Sequence, residues 1–172
     1  MTANEPLKIE KDGFIAWVTM NRPEKRNTFT LGLFEAFIDL FPKLDADPEV
    51  RVIVIKGEGK SFTAGLDLME AGGMFNPSPG ADLREHNRTM IRRMQESNNV
   101  IERCRKPVIA AVHSHCIGAG VDLISACDIR LASRDAVFSI RETRIAIVAD
   151  LGTLQRLPHI IGHGRFRELA LT

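Results

Sequence analysis

Apolar side chains fall into short blocks along the chain, and their spacing switches repeatedly between two periods. Residues 14–20 (FIAWVTM) are dense in β-formers and predict a strand. A polar turn containing a proline, 21–27 (NRPEKRN), follows. From Thr30 the period changes. Leu33, Phe34, Phe37, Ile38 and Phe41 recur at three- and four-residue steps, as on one face of a helix, with Thr30 in the capping position and Pro42 expected to disturb the end. Residues 50–55 are an apolar run broken by Arg51 and predict a buried strand. Met90, Ile91, Met94, Val100 and Ile101 place a long helix over 84–104, which Pro107 terminates. A small-apolar strand is predicted at 107–112, and small residues passing into a helical pattern at 116–127. Further strands follow at 129–132 and 136–140, then helices at 155–161 and 165–171. Strands alternating with helices predict an α/β fold with helices layered on a sheet. The glycine- and proline-rich stretch 71–81 (AGGMFNPSPGA) predicts a long loop of the kind that often carries function.

The length, 172 residues, suits one domain spanning 1–172, and 44% hydrophobic residues are enough for a core. The net charge of +1, from scattered basic residues, gives no nucleic-acid footprint. No stretch approaches the roughly 18 apolar residues of a membrane span, so no membrane partner is expected. The polar start MTANEPLKIEKDG has no secretory apolar core, and Cys104, Cys116 and Cys127 lack metal or disulfide spacing. Free thiols in a reducing compartment and a cytoplasmic location are the expectation. The chain ends at RFRELALT within a predicted helix and without a stop signal, so a C-terminally incomplete domain is expected.

Several motifs lead nowhere. Gly59-Lys60-Ser61 lacks the earlier glycine of a phosphate-binding loop, since position 54 is Val. His113 and His115 share a strand face without a third ligand nearby, so no metal site is expected. Ser114 and Ser125 lack the glycine context of a nucleophile elbow. Two small-residue loops are better candidates: 61–67 (SFTAGLD) and 116–122 (CIGAGVD) each follow a predicted strand. Such loops let backbone come close to a ligand. The second opens a helix, whose free N–H groups favour negative charge. Three acids follow: Asp122 just inside that helix, Glu142 after strand 136–140, and Asp150 in the apolar run 145–151. Taken singly they read as a helix-dipole partner, a solvated loop acid and a helix cap. Taken together, acids in apolar surroundings suit proton transfer near neutral pH.

The run 107–123 (PVIAAVHSHCIGAGVDL) with Ala126-Cys127-Asp128-Ile129-Arg130, preceded by NRPEKRN and SFTAGLDL and followed by GTLQRLP, resembles the enoyl-CoA hydratase/isomerase (crotonase) family over residues 10–172. The resemblance implies a spiral core of ββα repeats that binds an acyl-CoA thioester as substrate, with no metal or redox cofactor. It implies an oxyanion hole from the N–H groups of Leu66 and Ala119. Thr63, Ala64, Gly65, Leu66 and Asp67, with Ala119, would bind the acyl-CoA, and Lys25 or Arg26 would serve a phosphate. It further implies a homotrimer or hexamer, completed by C-terminal helices not contained in this sequence. Two positions depart from the family pattern. Ala119 replaces a usual glycine, which an N–H donor tolerates where the backbone angles suit alanine. Ser114 replaces another, with a local packing change expected. The combination of Asp122, Glu142 and Asp150 is similar to the dienoyl-CoA isomerase branch, in which Asp150 would take a proton from C2, Glu142 would return one to C6, and Asp122 would tune the pair. A hydratase using Glu142 on water, and a non-catalytic CoA-binding scaffold, are the alternatives.

Overall fold

The computed structural model describes residues 5–72 and 80–172; most of the 71–81 loop therefore lies outside the described residues. Strand β1 (Leu7–Asp12) pairs antiparallel with β2 (Ile15–Met20). β3 (Val52–Gly57), β4 (Val108–Val112) and β6 (Ile129–Ala132) continue the sheet in parallel, giving the order β1-β2-β3-β4-β6. β5 (His115–Ile117) and β7 (Val137–Ser139) form a small second parallel sheet. The helices are α1 (Leu31–Ala46), the single turn α2 (Leu68–Ala71), α3 (Ala81–Glu102), α4 (Ala119–Ser125) and α5 (Thr153–Leu171).

The expected α/β architecture is present, and so is the spiral of ββα repeats. Each turn of the chain contributes a strand to the large sheet, then a short segment to a second layer, then a helix. In the last two turns the second-layer segments are β5 and β7. In the first two they are isolated parallel bridges, Phe29 with Leu66 and Thr63 with Cys116. Parallel strands covered on both faces become continuously apolar, and Val18, Ile53, Ile55, Val108 and Ala110 are wholly buried. The phenylalanines of α1 close one side, with Phe29 and Phe34 rings 5.1 Å apart and Phe37 and Phe41 rings 6.1 Å apart. Thr30 caps α1 by accepting a hydrogen bond from Leu33 N, as its position predicts.

Some details differ from expectation. β1 was hidden in a polar run, because it is an edge strand with one buried residue, Leu7. Pro42 lies within the last turns of α1, which ends at Ala46. The two expected C-terminal helices are both present, labelled together as α5 and separated by a break at Gly162 (φ 77°, ψ 154°). Ser114 does more than alter packing: it holds a left-handed conformation, φ 51°, at the corner between β4 and β5.

The close approach of the second layer to α4 depends on Gly120. A Cβ there would lie 2.3 Å from Thr63 Cγ2 and 3.2 Å from Cys116 Sγ. Gly120→Ala is expected to cost about 1–3 kcal/mol by overpacking. Thr63→Ser, which removes that methyl and keeps the hydroxyl, should return much of the loss in the double variant. Urea denaturation of the four proteins checks this, and strictly additive losses would show that the two positions do not press on each other.

Candidate active site

The two small-residue loops lie side by side. Thr63 N donates to His115 O at 2.9 Å and Ile117 N to Thr63 O at 3.2 Å. Gly65 (φ 88°) is required by this seam, since a Cβ on it would meet Ile117 O at 2.8 Å. Ladder bonding consumes nearly every amide in the first loop. Thr63 N and Ala64 N donate to His115 O and Arg26 O, Gly65 N to Thr63 Oγ1, and Asp67 N to Phe29 O. Between Thr63 and Asp67, Leu66 N alone is left without an acceptor among the described residues. In the second loop Ile117 N and Gly118 N donate to Thr63 O and Ser139 O. Ala119 then opens α4, its first-turn amide without an acceptor among the described residues. Gly118, not Ala119, takes the unusual backbone angles (φ 52°, ψ −116°), so alanine at 119 carries no backbone strain.

The three acids converge on the same place. Asp122, one turn into α4, is 1% exposed, and its Oδ1 accepts a hydrogen bond from Thr153 N at 2.7 Å. Glu142 starts a 3-10 turn after β7. It is buried rather than solvated, its Oε2 has no partner among the described residues, and its Oε1 lies 3.1 Å from where a Cβ on Gly118 would be. Asp150 is half-buried behind the apolar run, and Gly152, not Asp150, occupies the capping position of α5. Burial pushes the Asp122 carboxyl up to about 7, against the hydrogen bonding from Thr153, with the charges of Glu142 and Asp150 adding to the rise. Burial likewise raises Glu142, helped by the charge of Asp150, and raises Asp150 itself.

A cavity of about 550 Å³ joins these groups. Ala64, Gly65, Leu66 and Ala119 border it, as do all three acids, with Met94 and Ile91 of α3 opposite. Two expected lining residues do not. Thr63 is fully buried behind the loop, its hydroxyl donating to Asn27 O at 2.7 Å. Asp67 turns the other way to an ion pair with Arg22 at 2.7 Å, which holds its carboxyl below the usual range. That pair sits in an adjoining open groove with Lys25, Thr28, Leu66 and Leu68; Arg26 is not in the groove lining.

Sequence reasoning missed several residues. Asn27 is wholly buried at φ 53° and donates to the carbonyls of Glu58, Ser61 and Phe62, tying the NRPEKRN turn to the first loop. Its position after the turn, among residues that tolerate left-handed angles, was the available clue. Ile145, Ile147 and Val148 form an apolar wall beside Glu142. Gln95 and Asn98, on α3, reach the backbone next to Asp150, a contact that no local pattern announces.

Comparison with known proteins places this geometry. The chain is 46% identical over 172 residues to the peroxisomal Delta(3,5)-Delta(2,4)-dienoyl-CoA isomerase of Arabidopsis thaliana, covering 98% of the chain and 62% of the relative. It is 44% identical over 171 residues to the mitochondrial enzyme of that name from Dictyostelium discoideum, covering 96% and 58%. The structure of a putative enoyl-CoA hydratase from Thermobifida fusca YX in complex with acetoacetyl-CoA superposes with a TM-score of 0.83 at 33% identity, covering 97% of this chain and 66% of that one. The chain thus spans about 60% of the length of these curated relatives. Their names overturn the cytoplasmic location expected above. Organelle addresses are short sequences read by receptors, so the composition of a folded domain does not carry them. The description enoyl-CoA hydratase/isomerase matches residues 10–172, and on the spiral fold just described the chain belongs to the enoyl-CoA hydratase/isomerase family.

Proposed function

We propose that the protein shifts the double bonds of a 3,5-dienoyl-CoA to give the 2,4-dienoyl-CoA. One observation carries the reading: three acids with raised pKa values face one apolar cavity, across from two uncommitted backbone amides. The dienoyl-CoA isomerase relatives and the acetoacetyl-CoA neighbour supply the substrate class.

In this reading the thioester oxygen lies between the N–H groups of Leu66 and Ala119, which stabilise the developing enolate. Asp150 takes a proton from C2. The electron pair spreads through C2 to C6 and onto the thioester oxygen. Glu142 then gives a proton to C6, leaving double bonds at C2 and C4. Asp122, whose burial is greatest, keeps a polar group beside Glu142 and disfavours a second full charge there. The chemistry consists of proton transfers between carboxyl groups and carbon, so the proposal calls on no metal or redox cofactor; the CoA thioester is the substrate. Lys25, in the groove beside the cavity, is available to a CoA phosphate. Assembly into a homotrimer or hexamer is part of the same proposal, and the exposed Ile129, Leu131 and Val137 suit such an interface.

A 3,5-dienoyl-CoA and, separately, a 2-enoyl-CoA test the reaction by ultraviolet absorbance. Growth of the conjugated 2,4-dienoyl band is expected. Loss of the 2-enoyl band without a dienoyl band would make the protein a hydratase working through Glu142. Tight CoA binding with neither reaction would make it a scaffold. Asp150→Asn should lower isomerisation by about 10²-fold or more and leave CoA affinity nearly unchanged, and full activity in that variant would remove Asp150 from the mechanism.

The acid set also predicts a pH dependence of stability. The Asp122 carboxyl titrates near 4 when unfolded and at about 7 when folded. Between those values the folded state holds more protons, so stability falls as pH rises through that window. Asp122→Asn can keep the hydrogen bond from Thr153 N and carries no charge. It should be more stable than the parent at pH 8 by up to about 4 kcal/mol, at roughly 1.4 kcal/mol per pKa unit. The difference should shrink to about 1 kcal/mol or less at pH 4.5. Urea midpoints at the two pH values check it, and a gain equal at both would remove Asp122 ionisation as its cause.

A further inference from the structure

The segment 150–153, which carries the proposed base, belongs to no strand or helix until Thr153, and Gly152 within it sits at φ 130°. Side chains hold it from both sides. Gln95 Nε2, on α3, donates to the Asp150 carbonyl oxygen at 2.7 Å. Asn98 Nδ2, three residues on and so on the same helical face, donates to the Leu151 carbonyl oxygen at 3.0 Å. Across the segment, Thr153 N donates to Asp122 Oδ1 at 2.7 Å. Arg156 braces the remaining side. Its Nη2 donates to Asn99 Oδ1 at 2.8 Å and pairs with Glu102 Oε2 at 2.7 Å. Its guanidinium lies over Gly152, where a Cβ would fall 1.7 Å from Nη1.

We propose that Gln95 and Asn98 are positioning residues for Asp150, so that the α3 amides set where the base stands relative to C2 of the thioester. The inference rests on the reading that Asp150 takes the C2 proton. The two amide bonds tie the Asp150 and Leu151 carbonyls themselves to α3, whereas Arg156 ties the start of α5 to Asn99 and Glu102 of the same helix. Both donors sit where a hydrogen bond is well defined: Asn98 is 1% exposed and Gln95 is half-buried. They touch backbone carbonyls, not the Asp150 carboxylate, and therefore act through its position. Misplacing a catalytic group by about 1 Å costs on the order of 10²-fold in rate.

The test compares Gln95→Leu, Asn98→Ala and Ser97→Ala with the parent on a 3,5-dienoyl-CoA. Ser97 is a buried control on α3 whose hydroxyl bonds within its own helix, to Met94 O. Gln95→Leu keeps a similar bulk and loses the donor. It should lower kcat by about 10–100-fold with KM and melting temperature little changed, while Ser97→Ala keeps the parental kcat. Asn98→Ala should behave like Gln95→Leu if it folds, and the half-buried Gln95 decides the matter where Asn98→Ala does not. Parental kcat in Gln95→Leu, or losses in kcat and KM that track unfolding, would overturn the proposal. A second readout does not depend on the reaction: the carbon-13 carboxyl titration of Asp150. Gln95→Leu should shift its chemical shift or titration midpoint even if the parent does not isomerise the dienoyl-CoA, which would count against the reaction alone. An unaltered Asp150 titration would overturn the positioning role.

Discussion

The parallel bridge between Thr63 and Cys116 is the contact on which the site depends. It lays the 61–67 loop along the 116–122 loop, and together with bonds to Arg26 O, Thr63 Oγ1 and Phe29 O it leaves Leu66 N the one amide of 63–67 without an acceptor among the described residues. Amides buried without an acceptor are costly, so a fold that leaves two of them at a cavity rim invites an anionic or carbonyl oxygen there. The glycines beside the seam serve the same end. Gly65 lets the loops meet, Gly118 takes the positive φ just before α4, and Gly120 lets α4 lie against Thr63. Spiral topology makes this possible, because each turn adds a parallel second-layer segment directly beside the one before.

Electrostatics follow from where that seam leaves the acids. Asp122 sits behind it and is nearly inaccessible; Glu142 is buried beside Gly118; Asp150 is half-buried at the far wall. Desolvation is the leading cause of the rise at all three. Three ionised carboxylates at one apolar cavity are poorly hydrated and repel one another, so all three are shifted toward the protonated form, Asp122 to about 7. A site that both removes and returns a proton needs that mixture of charged and neutral acids.

Much of this was legible in the chain. The period-2 and period-3.6 blocks located β2, β3, β4 and α1, whose apolar residues are buried, and the composition of β6, α3 and α5 located those elements although much of their surface is exposed. β1 was not legible, since an edge strand with one buried residue leaves no alternation. β5, three residues long, was too short to have a period. The acids and the two loops could be picked out as residue types and by resemblance to a family. Their convergence could not, because 31 positions separate Asp122 from Thr153, whose amide holds it. The misassigned pair is instructive. Thr63 and Asp67 lie in the right loop, but the Thr63 hydroxyl turns inward to donate to Asn27 O, and Arg22 draws Asp67 to the neighbouring groove. Adjacency in sequence indicated the loop, and side-chain direction decided which residues of it meet the cavity.

Burial also explains why the acids would divide their work as proposed. An acid that must begin ionised is better left near solvent, where its charge is hydrated; one that must begin protonated is better buried. Asp150 is the most exposed of the three and Glu142 the buried one with an uncommitted oxygen. The same logic sets the place of Asp122. Its Oδ1 is already engaged by Thr153 N and its surroundings are closed, so it has little freedom to approach a substrate carbon. In the proposed mechanism it acts instead as a neighbour: the charges of Glu142 and Asp150 raise its pKa, and its bond from Thr153 N touches the segment that carries Asp150. The proposed base, acid and tuning group thus occupy three different depths of one cavity. Those depths are fixed by the direction of α4, by the 3-10 turn after β7 and by the grip of α3 on residues 150 and 151.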